Sequence, residues 1–264
     1  MFSEIITAII LGIIQGLTEF IPVSSSGHLL LTTELLNLTN SSFSFELALN
    51  LGTLLALIGY FWRDILAIIK MLKKPKTQGL PAKIVVATIP AVIIGALALP
   101  LVSTVLRSPI IAIVALIVVG IIMILSDRLI GNKTVDELSL KNALMIGFSQ
   151  ALAFIPGTSR SGITIIAGRL TGLSHKQAAR FSFLMAIPIV TLALLKLLLD
   201  FNTQDMASGV LALIVGIITS FLVGLAAIHF MLKFLEKYGL KSFGYYRIII
   251  GLVVLFILIN RGVI

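Results

Sequence analysis

Long apolar runs alternate with short polar breaks along nearly the whole chain. Two apolar stretches, 4–20 and 141–154, are each followed by a proline, a group of hydroxyl residues and a second apolar segment too short to cross alone, 29–36 or 162–170. The remaining runs are long enough to cross a bilayer as helices, at about 45–69, 82–101, 109–127, 177–199, 208–232 and 244–260. The pattern therefore predicts six transmembrane helices and two interrupted hairpins.

Each hairpin is predicted to be re-entrant, with two half-helices that meet at a polar tip inside the membrane. Non-helical backbone at that depth is tolerated only where it is buried in protein or lines a water-filled cavity. The hairpins cover residues 4–36 and 141–170, and three spans follow each of them. Because three crossings reverse the side of entry, the chain is predicted to be one membrane domain, 1–264, built from two inverted-topology repeats, 1–127 and 141–262.

The composition supports an all-α integral membrane protein, because 58% of the residues are hydrophobic and only 12% are charged. The net charge of +9 is explained by cytoplasmic loops and not by nucleic acid, since Lys and Arg concentrate on the cytoplasmic side of membrane proteins. One predicted face receives Arg107, Lys196 and Arg261. Most other basic residues lie in or beside the loops of the opposite face, at 70–83, 127–141, 171–176 and 233–243.

This asymmetry predicts that the basic face is cytoplasmic and that both termini are outside. A full crossing by residues 4–20 is compatible with the same charges and moves only the N-terminus to the other side. No cleavable signal peptide is expected, because the first segment carries Glu4 and no basic residue. The chain has no cysteine, so disulfide and thiolate chemistry are absent.

A polar motif in the first tip returns in altered form in the second. The first copy reads Gln15-Gly-Leu-Thr-Glu-Phe-Ile-Pro-Val-Ser-Ser-Ser-Gly-His28, and the second reads Gln150-Ala-Leu-Ala-Phe-Ile-Pro-Gly-Thr-Ser-Arg-Ser-Gly162. Polar residues in apolar surroundings are costly unless they have a use there. Two matched copies predict two halves of one site.

In the first copy, Gln15 and Glu19 are four residues apart and therefore share a helix face. A carboxylate inside a membrane segment is functional by default. Pro22 ends the helix, and the residues that follow are expected to cap a second half-helix whose N–H groups suit an anion. The capping residues are Ser24, Ser25 and Ser26, and the half-helix is expected to begin near Gly27 and His28. Ser24, Ser26 and Gly27 are also expected to bind phosphate.

In the second copy, Arg160 adds a fixed positive charge whose fork of donors matches a phosphate group. Its neighbours are expected to bind phosphate through hydroxyl groups and closely approaching backbone, and they are Gly157, Thr158, Ser159, Ser161 and Gly162. Serines near a proline in a membrane helix are more often caps than nucleophiles, and a histidine near a helix start is usually a structural hydrogen-bonding residue. The residues alone therefore predict an anion site, most simply for phosphate, at the midplane.

The two motifs together resemble those of the bacterial undecaprenyl-diphosphate phosphatases, also called bacitracin-resistance proteins. The resemblance covers the whole chain and rests on Gln15-x-x-x-Glu19, the following Pro-x-Ser-Ser-x-Gly-His, and the Pro-Gly-x-Ser-Arg-Ser-Gly of residues 156–162. It implies hydrolysis of undecaprenyl diphosphate to undecaprenyl phosphate and inorganic phosphate in the plasma membrane of a bacterium. This reaction recycles the carrier lipid of cell-wall synthesis.

The resemblance also assigns catalysis to Glu19, Ser25, His28 and Arg160. Ser25 is expected to be the nucleophile, activated by His28, while Glu19 orients the imidazole or assists a cation. Arg160 and the half-helix N–H groups would clamp the phosphates. Direct attack by water, with His28 or Glu19 as the base, is the alternative. The site is expected to open to the outer face, where the lipid head group reaches the tips.

A divalent cation, Mg²⁺ or Ca²⁺, is implied by the resemblance. The two-glutamate form of the motif is replaced here by Gln15 and Glu19, and these cations prefer charged oxygen ligands. The diphosphate itself is therefore expected to hold the ion, and the metal's ligands in the chain are left open.

A second functional class fits the same pattern. Broken helices in inverted repeats, with anion-binding helix N-termini at the midplane, are also typical of secondary transporters. A transporter or flippase of an anionic polyprenyl phosphate lipid is therefore the alternative function. His28 beside a serine run favours an enzyme, because binding alone needs no base. The expected partners are the lipid substrate and the bilayer, and a homodimer is left open.

Overall fold

The computed structural model describes residues 2–36, 38, 43–73, 79–104, 108–199 and 209–260. Over these residues the chain is helical, and its β structure is limited to an isolated bridge between Lys133 and Leu173. The predicted all-α class is confirmed. The helices are α1 (Phe2–Thr18), α2 (Ser25–Leu35), α3 (Phe43–Tyr60), α4 (Trp62–Leu72), α5 (Leu80–Thr104), α6 (Pro109–Ser126), α7 (Leu140–Ala151), α8 (Arg160–Leu170), α9 (His175–Leu199), α10 (Val210–Tyr238) and α11 (Lys241–Asn260).

Among the described residues, five helices are long and apolar enough to cross a bilayer, namely α5, α6, α9, α10 and α11. A sixth crossing is obtained when α3 and α4 are counted together. The segment 45–69, predicted as one span, is instead two helices bent by 72° at Phe61. Gly59 precedes the bend and Arg63 and Asp64 follow it, but apolar residues resume at Ile65, and hydropathy therefore joined the two helices into one predicted span.

The two interrupted hairpins are α1–α2 and α7–α8, close to the predicted bounds. They pack reciprocally against the two halves of the chain, α1 on α10 and α7 on α5. Small residues allow this close approach: Gly12 and Gly16 of α1 lie against Thr219 and Ser220 of α10, and Gly147 of α7 lies against the α5 backbone. α6 and α11 pack on each other as a further pair.

The core of the bundle lies around α9, between the two hairpins. The Phe183 ring meets Phe20 of the first tip edge to face, with centroids 5.6 Å apart, and also packs on Phe61. Both Phe20 and Phe183 are fully buried. The first tip is thereby fixed against a helix of the other half of the chain.

The loops of the basic face meet at one end of the bundle. The Arg169 guanidinium donates to the carbonyl oxygens of Leu129, Gly131 and Leu173, and the Lys83 ammonium donates to those of Val135 and Asp136. The Asp127 carboxylate joins the same end to α9 and α11 by accepting from His175 and from the Leu240 amide. Arg107 and Arg261, assigned to the opposite face, lie outside the described residues.

Candidate active site

Two turns interrupt the hairpins at matched places. Each turn contains a proline, Pro22 or Pro156, and ends at a serine that directly precedes the next half-helix. These serines, Ser24 and Ser159, have φ angles of 79° and 69° and are the non-glycine residues with positive φ in the described chain. Such backbone costs about 1–3 kcal/mol per residue, so the surrounding contacts must hold both tips in place.

The Glu19 carboxylate is the point where the two tips meet. One oxygen accepts a hydrogen bond of 2.6 Å from Arg160 of the second tip. The other accepts from the Ser25 hydroxyl at 2.8 Å and from the Gln15 amide at 3.2 Å. The matched motifs, far apart in sequence, therefore converge on one carboxylate. The amide of Gln15 also donates to Asn50 of α3 at 3.3 Å.

The remaining hydroxyls follow the same pattern in both tips. Ser24 and Ser26 Oγ are 3.4 Å apart, and Ser159 and Ser161 Oγ are 3.3 Å apart. Ser159 caps α8 by accepting from the Gly162 amide at 3.3 Å. Ser24 occupies the equivalent N-cap position of α2, but its side chain makes no capping hydrogen bond. The capping predicted for both half-helices is thus found in the second one.

A cavity of about 130 Å³ lies between the tips. Its lining joins hydroxyl, carboxylate and guanidinium groups from both hairpins: Thr18, Glu19, Ser24, Ser25, Ser26, Ala153, Ile155, Gly157, Ser159 and Arg160. A larger cavity of about 460 Å³ shares Ser25 and Ser26 with it and continues between α1, α2 and α3, past Leu29 and Leu49. Four of the expected phosphate-binding residues do not line the smaller cavity, namely Gly27, Thr158, Ser161 and Gly162.

His28 points away from this cavity. Its Nδ1 lies 2.9 Å from the Ser24 carbonyl oxygen, and its Nε2 lies 2.7 Å from the Tyr246 hydroxyl. Because a carbonyl can only accept, Nδ1 carries the proton and the Nε2 of a neutral ring accepts from Tyr246. The imidazole also stacks on the Tyr246 ring, with centroids 5.7 Å apart. The described geometry therefore pairs Ser25 with Glu19, and not with His28 as the sequence pattern predicted.

Arg247 of α11 is the most important residue that sequence reasoning missed. It was counted with the basic face, but its side chain is fully buried. Its guanidinium donates to the carbonyl oxygens of Pro22 in the first tip and of Gly157 and Thr158 in the second, and also to that of Leu116. Among the described residues no carboxylate lies within ion-pair distance of it.

These contacts hold both strained turns from one side chain and leave a positive charge beside the cavity. A run of Tyr245, Tyr246 and Arg247 at the start of an apolar span was the available signal. The same run is, however, what a snorkelling membrane anchor looks like.

The described part of the chain does not supply a set of side-chain ligands for a divalent cation. Among the described residues no group of three or more His, Asp or Glu side chains could hold a metal ion. Both oxygens of Glu19, the carboxylate at the cavity, already accept hydrogen bonds from Arg160, Ser25 and Gln15. The residues therefore fit a bound anion better than a resident cation.

Comparison with known proteins identifies the family. Residues 8–253 match the family model described as bacitracin resistance protein BacA. A protein of Idiomarina loihiensis named undecaprenyl-diphosphatase is 41% identical over 258 residues, 95% of this chain and 97% of that one. Proteins of the same name from Marinobacter nauticus and Moorella thermoacetica are each 40% identical, over 94% of this chain and 97% and 95% of theirs. With two tip motifs joined in one site and a match over nearly its whole length, the chain belongs to the bacitracin resistance protein family.

Proposed function

We propose that this membrane protein hydrolyses undecaprenyl diphosphate to undecaprenyl phosphate and inorganic phosphate, and so recycles the carrier lipid of cell-wall synthesis in a bacterial plasma membrane. The observation that carries the proposal is the meeting of Ser25, Glu19 and Arg160 at one cavity between the tips. The names of the relatives favour hydrolysis over lipid transport.

Phosphate binding is the task of the second tip. Arg160 leaves part of its contact with Glu19 and donates to the terminal phosphate, whose charge replaces that of the carboxylate. The N-termini of α2 and α8 both face the tips, and helix N-termini favour anions. Arg247 has no counter-ion among the described residues and donates to the carbonyl oxygen of Gly157, which lines the cavity. It therefore adds positive charge directly behind the cavity wall.

The first tip supplies the nucleophile. The Ser25 oxygen attacks the terminal phosphorus, the bond from that phosphorus to the bridging oxygen breaks, and undecaprenyl phosphate leaves with the electron pair. Glu19, hydrogen-bonded to Ser25 at 2.8 Å, receives the proton of the serine hydroxyl. Water then attacks the phosphoserine, inorganic phosphate leaves, and Ser25 recovers its proton.

His28 serves the second step in this scheme. In the structure its Nε2 faces the Tyr246 hydroxyl and not the cavity, so in this scheme the ring first leaves Tyr246 and turns toward the phosphoserine, where Nε2 takes a proton from the attacking water. Activation of Ser25 by His28 and direct attack by water are the two alternatives, and they predict different intermediates. The oxygens of the substrate diphosphate would hold a divalent cation, Mg²⁺ or Ca²⁺, which would neutralise part of their charge.

The proposed membrane arrangement is two inverted repeats whose re-entrant hairpins open the site to the outer face. The half-helices α2 and α8 have 11 residues each and are about 16 Å long, against a hydrocarbon core of about 30 Å. The reciprocal packing of α1 on α10 and of α7 on α5 supports the repeat. The gathering of basic loops at one end supports a cytoplasmic assignment for that end.

Phosphate release tests the activity directly. Purified protein in detergent is given undecaprenyl diphosphate, and inorganic phosphate is measured with and without a chelator. The Glu19→Gln variant should lose nearly all turnover. Ser149→Ala is the matched control, because that hydroxyl donates to the Ile146 carbonyl of its own helix. Full turnover by Glu19→Gln would overturn the proposed site.

The orientation has its own test, because the chain is free of cysteine. Single cysteines at Asn132, on the basic end, and at Ser108, next to the start of α6, are exposed to an impermeant thiol reagent in intact cells. Labelling at 108 and not at 132 is expected. The reverse pattern would invert the proposed topology while leaving the chemistry untouched.

A further inference from the structure

Helix α4 runs in a different direction from α3, the helix that precedes it. α3 has 18 residues and is about 27 Å long, close to the thickness of the hydrocarbon core. At its end the chain bends by 72°, and Phe61 at the bend is buried against Phe183. A helix of this length can cross the core by itself, and after the bend α4 does not continue in the direction of α3.

The surface of α4 is divided by chemistry. Trp62, Leu66 and Ile69 form an apolar stripe at i, i+4 and i+7, and each is about half exposed. Arg63 and Lys70 lie together on the adjoining side, seven residues apart and exposed. No residue of the helix is buried. This division is typical of a helix that lies in the membrane interface.

The opposite side of α4 fixes its position in the molecule. Asp64 forms an ion pair with Arg180 of α9, and Ile68, one turn later, packs against the main core. Arg180 is five residues from the start of α9, at the end of the bundle where the basic loops meet. α4 is thus attached to the basic end by one side, and its apolar stripe and basic side face outward.

We propose that α4 is an interfacial helix that binds acidic phospholipid headgroups at the basic end of the protein. The apolar stripe enters the outer part of the acyl chains, and Arg63 and Lys70 contact the phosphates. The Arg63 guanidinium lies 5.2 Å from the centroid of the Trp62 ring, which places charge and indole at one depth, the level that Trp prefers in bilayers. Basic residues beside an acidic leaflet are attracted to its negative surface.

Trp62 is the sole tryptophan of the chain, so its fluorescence reports on α4 alone. The protein is reconstituted into vesicles in which the phospholipids are brominated either near the headgroup or near the methyl end of the acyl chain. Quenching should be strongest from bromine near the headgroup. Stronger quenching from the methyl end would mean that α4 continues into the core. Absence of quenching would mean that α4 lies in water or against protein. Either result overturns the proposal.

A depth control comes from the same chain. Leu252 on α11 is about half exposed and lies near the middle of a 20-residue span. In the Trp62→Phe, Leu252→Trp variant, quenching should therefore be strongest from bromine near the methyl end. This variant shows that the method resolves depth in this protein.

The headgroup contact is tested by replacing neutral phospholipid stepwise with phosphatidylglycerol. Quenching of Trp62 by shallow bromine should rise with the acidic fraction and fall again at high salt. In Arg63→Gln, Lys70→Gln, the midpoint should shift to a several-fold higher acidic fraction. Lys237→Gln, Lys241→Gln removes two charges from the same end of the bundle and should leave the midpoint in place. Equal midpoints in the two double variants would overturn the assignment to Arg63 and Lys70. The readout does not involve turnover, so it stands apart from the phosphatase proposal.

Discussion

The first tip, residues 18–28, and the second tip, residues 152–162, fold alike. In both, a turn with a proline leads to a serine of positive φ, and that serine lies within 3.4 Å of the serine two residues later. The first residue of the following half-helix differs: it is Ser25 in one tip and Arg160 in the other. Equivalent backbone positions of the two tips thus carry a hydroxyl on one side of the cavity and a guanidinium on the other.

A second difference between the tips is the residue Glu19 itself. The first copy reads Thr18-Glu19-Phe20, whereas the second passes from Ala153 directly to Phe154. With the extra residue, α-helical bonding continues at Glu19, whose amide donates to the Gln15 carbonyl at 3.0 Å. Without it, the second tip tightens into a 3-10 turn. The first tip therefore carries a carboxylate, Glu19, at a place where the second tip has no residue.

Removing the charge of the second tip should have the largest effect. Arg160→Ala is expected to lower kcat by about 10²–10³-fold, because a fixed donor aimed at developing phosphate charge is lost. Arg160→Lys keeps the charge, loses the fork and should remain strongly impaired. Initial rates of phosphate release measure both. Near-normal turnover by Arg160→Ala would break the division of labour between the tips.

Replacing Ser25 distinguishes attack by a serine from direct attack by water. If Ser25 attacks, Ser25→Ala should lose at least about 10²-fold, and Ser24→Ala and Ser26→Ala should lose less. Rapid quenching and mass spectrometry of the peptide around residues 15–30 should detect phosphoserine in the parent protein. An active Ser25→Ala protein without any trapped phosphoenzyme would leave direct attack by water as the route.

The pair His28 and Tyr246 sharpens the comparison further, since the structure gives no equivalent pair at the second tip among the described residues. His28→Ala should reduce the second step by about 10²-fold and so increase trapped phosphoserine. Tyr246→Phe removes one hydrogen bond and should change the rate by about tenfold or less, with less trapped phosphoserine. Unchanged phosphoserine in both variants would contradict a role in the second step.

Arg247 connects the tips, and its replacement should affect both equally. Arg247→Met loses the hydrogen bonds to Pro22, Gly157 and Thr158 and is expected to lower kcat about tenfold. In Arg247→Lys, which keeps the charge, KM should return closer to the value of the parent protein than kcat does. The charge attracts substrate, whereas the several donors of the guanidinium are needed to hold the turns. Identical kinetics for the two variants would reduce Arg247 to a packing residue.

The smallest effect is expected at the two matched glutamines, both of which are almost fully buried. Gln15 donates to Glu19 and Asn50, whereas the polar atoms of the Gln150 side chain have no described partner. Gln150→Met should therefore raise the free energy of unfolding by about 1 kcal/mol and leave turnover near normal. Gln15→Met should lower turnover. Destabilisation by Gln150→Met would show that Gln150 is satisfied after all.

The convergence of Glu19, Ser25 and Arg160 was predictable from sequence. Polar residues inside a membrane are costly, so two matched motifs of them indicate a shared site, and inverted repeats bring their tips together. The pairing within the site was not predictable. Spacing places Ser25 near both Glu19 and His28, and only the turn geometry decides between them.

The spans were predictable because hydropathy measures the length of an apolar run. The bend at Phe61 was not predictable, because hydropathy carries no information on the direction of a helix. Arg247 was missed for a related reason. A basic residue near a helix end is equally compatible with an exposed anchor and with a buried clamp. Its partners are backbone carbonyls, which every sequence contains.

The clamp formed by Arg247 has a consequence for the order of biosynthesis. The carbonyl groups that it holds belong to residues 22, 157 and 158, which leave the ribosome well before α11. Both hairpins are therefore made and inserted while their turns still lack the guanidinium that holds them. A nascent chain therefore completes the hydrogen bonds that hold both turns only when α11, its last described helix, docks.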